Sequence, residues 1–260
     1  MSFQRIWAIV LRYCYYFLRS WDRLTDSVYW PILDITLWGL ASKWILTQQE
    51  GKVPHLALIL LTGVVFWQVV WRGSYEISVN LLEEFWNDNL VNLFATSLTK
   101  YEWMAGVMLV GLVKLFLTLV VGIATVWLFY SLNIFVLGWS MLPFVASLLM
   151  SGWFVGFFSS GLIIRYGEKI QTLAWVMGWM LAPFSAVFYP LNVLPEWAQV
   201  IARCLPTTYV FEGMRQIIAN GSPPWDYVLI SLGLNVLYLG ASVAFFSYMF
   251  EQRRWRGLAK

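Results

Sequence analysis

Residues 104–130 read MAGVMLVGLVKLFLTLVVGIATVWLFY, with Lys114 as the single charge. A helix crosses a bilayer with roughly 20 apolar residues, so this run is long enough to span and points to a helical membrane protein. Outward from it, similar runs occur at Tyr29–Leu46, Leu56–Ile77, Leu142–Ile164, Thr172–Phe188 and Val228–Phe250. The chain is 60% hydrophobic and 12% charged, about half the charge of a soluble domain. The expectation is one all-α membrane domain over residues 1–260 with six transmembrane helices. No stretch remains for a soluble domain.

Basic residues near span ends stay on the cytoplasmic side. With both termini cytoplasmic, the inside set is Arg5, Arg12, Arg19, Arg23, Arg72, Lys100, Arg165, Lys169, Arg253, Arg254, Arg256 and Lys260. The outside set is Lys43, Lys52, Arg203 and Arg215, which is a strong asymmetry and requires an even number of crossings.

Arg5 and Arg12 interrupt any signal-peptide core, so residues 1–27 read as an interfacial amphipathic helix. Arg5, Arg12 and Arg19 recur every seven residues on one stripe, while Phe3, Ile6, Val10, Phe17 and Trp21 supply apolar surface. The stripe faces headgroups or a partner, or is a solvated face that enforces topology. Cys14 and Cys204 fall on opposite sides, which argues against a disulfide between them, and they are read as two buried thiols.

Several chemistries are excluded or disfavoured. His55 is the lone histidine, which rules out a multi-histidine metal site. Gly106 and Gly111 have the first spacing of a P-loop, but Leu112 and Val113 follow where Gly-Lys is required, so the chain is not expected to bind ATP. Gly152, Gly156 and Ser160 repeat every four residues, a pattern for close helix packing within the chain.

Between the second and third runs, residues 80–100 carry Glu83, Glu84 and Asp88 beside Leu81, Leu82, Phe85, Trp86, Leu90, Leu93 and Phe94 at near-helical spacing. The expectation is a short amphipathic helix outside the hydrocarbon, its acidic side meeting a basic cleft on a partner or simply solvated. In residues 189–222, Pro190, Pro195 and Pro206 punctuate two short helices, Pro195–Cys204 and Thr208–Asn220. Glu212 and Arg215 can pair on one face of the second, as a latch or as a local neutralisation. Asp34 and Lys114 lie inside apolar runs, each costly against lipid, and are read as a pair, either structural or ion-conducting. Trp67, Trp71, Trp127, Trp153, Trp175 and Trp179 lie nearer span interiors than the interfacial belts do, where they can line an amphiphile path or face lipid.

The order of three patterns resembles the permease subunits of type-2 ATP-binding-cassette (ABC) exporters over essentially the whole chain. These are the basic amphipathic helix leading into Tyr29-Trp30-Pro31; Leu82-Glu83-Glu84-Phe85-Trp86 running through Asn89-Leu90-Val91-Asn92 to Thr99; and Tyr189-Pro190-Leu191, Leu194-Pro195-Glu196-Trp197, Leu205-Pro206-Thr207-Thr208-Tyr209 and Glu212-Gly213-Met214-Arg215. The chain departs from many members at Thr96-Ser97, where they carry Thr-Pro.

The resemblance implies a cytoplasmic coupling helix around Glu83, Glu84, Phe85, Trp86, Asp88 and Asn89. It implies outer helices that help close the exit, around Pro195, Glu196, Trp197, Pro206, Tyr209, Glu212 and Arg215. It also implies a permease in the bacterial or archaeal inner membrane, paired with a second copy or a paralogue. Two separate ABC ATPase subunits would bind ATP and Mg, leaving no cofactor on this chain and no nucleic-acid partner. The expected cargo is lipid-linked, glycan or hydrophobic, exported by alternating access. An ion-coupled secondary transporter working through Asp34 and Lys114, and a non-transporting scaffold, are the alternatives.

Overall fold

The structure, a computed structural model, describes residues 1–48 and 56–255. The expectations resting on Lys52, His55, Arg256 and Lys260 lie outside them. The described residues are mostly helical, without a strand: α1 (Phe3–Arg19), α2 (Trp21–Gln48), α3 (Leu56–Trp86), α4 (Leu90–Ala95), α5 (Lys100–Tyr130), α6 (Met141–Tyr166), α7 (Leu173–Met180), α8 (Glu196–Cys204), α9 (Pro206–Asn220) and α10 (Trp225–Trp255).

Four helical stretches among them are long and apolar enough to cross a membrane: Leu56–Trp86, Lys100–Tyr130, Ile134–Ile170 and Trp225–Arg254. The other two expected spans differ for physical reasons. Tyr29–Leu46 lies within the long α2, but Asp34 and Lys43 dilute its hydropathy. Thr172–Phe188 is broken. Its only α-helix, α7, has 8 residues and rises about 12 Å, less than half the hydrocarbon thickness. Pro183 sits in the 3-10 turn Ala182–Phe184 that follows, and Ala186 takes φ 54°. Proline has no N–H to donate, which stops an α-helix here.

The core is organised around α3, which packs on α2, α5, α6 and α7. The fourth-residue repeat of α6 faces α3 in the same chain: a Cβ added to Gly152 would lie 2.6 Å from the Val70 carbonyl oxygen and 3.0 Å from Gly73 Cα. The two backbones touch there because neither glycine carries a side chain. The segment through α7 runs antiparallel beside α3. Trp175 stacks on Trp86 (6.3 Å between centroids) and Trp179 lies 6.3 Å from Trp67.

One end of the bundle gathers α1, the end of α3, α4, the start of α5 and the end of α10. Arg5 pairs with Glu102 at 3.1 Å and Lys100 with Glu251 at 2.8 Å, and the Phe94 and Phe250 rings meet at 4.6 Å. The other end holds α8, α9 and the Tyr130 hydroxyl, which donates to the Thr36 carbonyl at 3.1 Å.

Candidate functional site

Polar residues recur every fourth position along the second half of α3, at Gln68, Arg72, Glu76 and Asn80, followed by Glu83 and Glu84, and all of them are buried. Such spacing places them on one slowly drifting stripe; Asn80 donates back to the Glu76 carbonyl of α3, and neighbouring helices answer the others. Gln68 Nε2 donates to Asp34 of α2 at 2.7 Å. Arg72 contacts Asp26 of α2 at 2.9 Å and Glu76 at 3.3 Å. Lys114 of α5 meets the other Glu76 oxygen at 2.5 Å. Asp26, Arg72, Glu76 and Lys114 form a neutral group of two carboxylates and two cations, which removes most of the penalty of burying any one charge.

The expected Asp34–Lys114 pair is therefore not present. Glu76, one turn beyond Arg72, captures Lys114, and Asp34 instead holds the Gln68 amide. Asp34 has no basic partner among the described residues.

The expected acidic face is also turned inward. Glu83 and Glu84 are 6% and 1% exposed, and Phe85 is buried with them, because α3 continues unbroken to Trp86 instead of yielding a separate amphipathic helix. Glu83 pairs with Arg23. Glu84 accepts from Arg12 at 2.9 Å, from the Tyr13 hydroxyl at 2.7 Å and from Asn89 at 2.6 Å, while Trp103 donates to the same hydroxyl at 3.1 Å. Burial, and then the Glu84 carboxylate, push the Tyr13 hydroxyl well above its ordinary pKa, so it stays a neutral donor.

What this end exposes is the elbow between α3 and α4. Trp86, Asn87, Asp88, Val91 and Asn92 are exposed, Asn89 half so, and Asp88 adopts φ 50°. α5 then begins with Thr99 capping Glu102 and Glu102 capping Thr99 in return, a reciprocal pattern visible as Thr99-x-x-Glu102 in the sequence. Glu102 also accepts from the Ser2 amide at 2.6 Å, which fastens the start of α1.

The basic stripe of α1 is consequently divided. Arg5 and Arg12 bind carboxylates of α5 and α3, and Arg19 is exposed. Tyr13 and Phe17 face the bundle with Ile9 and Val10, leaving Phe3, Trp7, Leu11, Tyr15 and Leu18 as an outward apolar row.

At the opposite end Glu212 and Arg215 do pair, at 3.0 Å. Arg215 also donates to the carbonyls of Ala186, Val187 (3.1 Å) and Tyr189 (2.9 Å), while Glu212 accepts from the Leu191 amide at 2.7 Å. The pair clasps the turn 186–191 onto α9. Burial lowers the Arg215 pKa, opposed by Glu212. Pro206 opens α9 in its first turn, and Phe211, Met214 and Ile217 form its buried face. Tyr209 donates to the Arg203 carbonyl at 2.8 Å, joining α9 to α8. Pro195 precedes α8, Glu196 opens it, and Trp197 is exposed with its ring 6.1 Å from Phe184.

A cavity of about 350 Å³ opens between α2, α3 and α7, lined by Asp26, Trp30, Asp34, Gln68, Trp71, Trp175 and Trp179. Of the interior tryptophans read from the sequence, Trp71, Trp175 and Trp179 reach it, Trp67 is in the core, Trp153 is partly buried, and Trp127 is 64% exposed.

Sequence comparison adds to this geometry. The family described as "ABC-2 family transporter protein" matches residues 42–249. A Bacillus subtilis (strain 168) protein named "Putative transport permease YvfS" is 28% identical over 86 residues, covering 32% of this chain and 35% of the relative. Another from the same organism, "Uncharacterized protein YhgE", is 32% identical over 63 residues, 24% of this chain and 8% of its own length. The chain thus aligns with only about a third, or less than a tenth, of these curated relatives.

Proposed function

Since this chain belongs to the ABC-2 transporter family, an integral membrane permease subunit of an ABC transporter, we propose that it works as a dimer driven by two separate ATPase subunits that bind ATP and Mg. The dimer is a pair of this chain or a pair with a paralogue. Its six crossings would include α2 and the broken α7 segment, with both described ends on the cytoplasmic side of a bacterial or archaeal inner membrane. The cargo would be exported by alternating access.

The observation that carries the coupling role is the exposed elbow at the end of an unbroken, fully packed helix. The ATPase would seat on Trp86, Asp88 and the exposed face of α4, with Asn89 bracing the turn through Glu84. Glu83 and Glu84 would act one layer behind, joining the elbow to α2 and α1 through Arg23, Arg12 and Tyr13. A push at the elbow would then move α3, and with it one wall of the cavity. The outer clasp around Glu212 and Arg215 would hold the exit closed until α7 shifts. The capture of Lys114 by Glu76 weighs against an Asp34–Lys114 ion relay.

Affinity purification of the tagged chain in mild detergent, followed by an ATPase assay of the co-purified material, tests this. Activity should accompany the chain and fall at least tenfold for the double variant Asp88→Lys, Asn92→Glu, with unchanged yield and thermal transition. Absence of an ATPase, or one indifferent to that variant, would overturn the reading.

A further inference from the structure

On the permease reading, the structure also carries information about cargo chemistry. We propose that the cavity between α2, α3 and α7 is a binding site for an organic ammonium cation bearing an aromatic or apolar body, with Asp34 as its counter-ion.

Charge bookkeeping around α3 singles out Asp34. Asp26 and Glu76 are answered by Arg72 and Lys114, Glu83 by Arg23 and Glu84 by Arg12. Asp34 faces the cavity with one neutral hydrogen bond, from Gln68, and no cation among the described residues. A half-buried carboxylate in an aromatic pocket attracts a cation that brings its own apolar cover.

Independent evidence comes from the polar atoms beside it. Gln68 is 3% exposed and lines the cavity, yet its Oε1 accepts from nothing. The Asp34 oxygen that Gln68 does not hold is the acceptor that suits the N–H groups of an ammonium. Trp71, 8% exposed and on the same wall, likewise has an indole N–H without a partner. Unpaired buried polar groups are costly, about 1–3 kcal/mol each, and two of them here belong to residues that line the cavity beside Asp34.

The remaining walls are the indoles of Trp30, Trp175 and Trp179, the side-chain type that holds cations best through its ring quadrupole. An approach route is present as well. Asp22, Asp26, Trp30 and Asp34 recur every four residues on α2, and a second cavity of about 370 Å³ at the charged end shares Asp26, Trp30 and Trp175 with the first. The route carries Asp22, Arg23 and the Arg72-paired Asp26, and it ends at Asp34, whose unanswered carboxylate favours a cation over an anion.

The test is equilibrium dialysis of the full chain in zwitterionic nanodiscs against phenylbutylammonium, phenylbutanol and phenylbutyrate, with empty nanodiscs subtracted. The three probes share one skeleton and differ in charge. Saturable binding should be strongest for the ammonium, at least tenfold above the alcohol and absent for the carboxylate. Asp34→Asn, which keeps an acceptor for Gln68, should weaken ammonium binding at least tenfold, Trp179→Leu several-fold, and Asp34→Glu should retain most of it.

Equal binding of all three probes, no saturable binding of the ammonium to folded wild type, or binding unaffected by Asp34→Asn would overturn the proposal. The assay needs no ATPase. Failure here beside a successful ATPase co-purification would remove the cargo assignment and leave the permease reading, and the reverse pattern would do the opposite.

Discussion

α3 and α10 have the same length, 31 residues, and opposite surroundings. The most apolar window of α3 has a mean hydropathy of 1.7 and is 83% buried, whereas that of α10 reaches 2.0 and is 22% buried. The less apolar helix is the one inside. Lipid is as apolar as leucine, so α10 loses little by leaving Leu229, Val236 and Leu237 exposed. The charges of α3 have no tolerable place except against partners. In this chain polarity, more than hydrophobicity, reports the interior.

The comparison can be broken most directly at Glu76. Glu76→Ala leaves Lys114 and Arg72 buried with one carboxylate fewer, and a lone buried charge costs about 3–5 kcal/mol. We expect loss of the cooperative transition in scanning fluorimetry, or its displacement far to lower temperature. An unchanged transition would mean that the α3 stripe is hydrated in solution. Next, Leu237→Arg places a charge on the outward face of α10 at an expected cost of about 2.5–3.5 kcal/mol, read as reduced membrane insertion in a glycosylation-tag assay. Normal insertion would show that this face lies against protein or water.

Gly152→Val drives a side chain into the Val70 carbonyl and should cost about 1–3 kcal/mol as overpacking. Gly233→Val in α10, where an added Cβ meets nothing within 4 Å, is the control for the same change. The smallest effect belongs to Leu237→Ala, within about 0.5 kcal/mol. A larger shift would identify that stretch of α10 as an interface.

The class and most of the helices were readable from apolar runs and prolines. The two outer helices fall within two residues of their expected bounds, because proline starts and a glycine stop act locally. Gly221 takes φ 74° beyond α9, the left-handed position that helix ends favour in glycine.

The site was harder. Asp34 and Lys114 stand out as intramembrane charges, but the Leu56–Ile77 run also holds Arg72 and Glu76, and Arg72 reads from the sequence only as a cytoplasmic charge. The period-four series Gln68, Arg72, Glu76 would have shown that the stripe is continuous with the span. Glu83 and Glu84 looked like a docking face for a similar reason. Their partners, Arg23, Arg12 and Tyr13, lie about sixty to seventy residues away, and no local pattern announces such a contact. The break in α7 follows from Pro183, whereas the hydropathy of its surroundings argues for a continuous span.

One geometric feature bears on how the molecule can move. α3 runs without a break from Gln68, at the cavity wall, to Trp86, beside the elbow, 18 positions that rise about 27 Å as a helix. A rod of that length, gripped on several sides, has no joint in which a displacement at its tip can dissipate. Under the proposed coupling, cavity and elbow would be the two arms of a single lever.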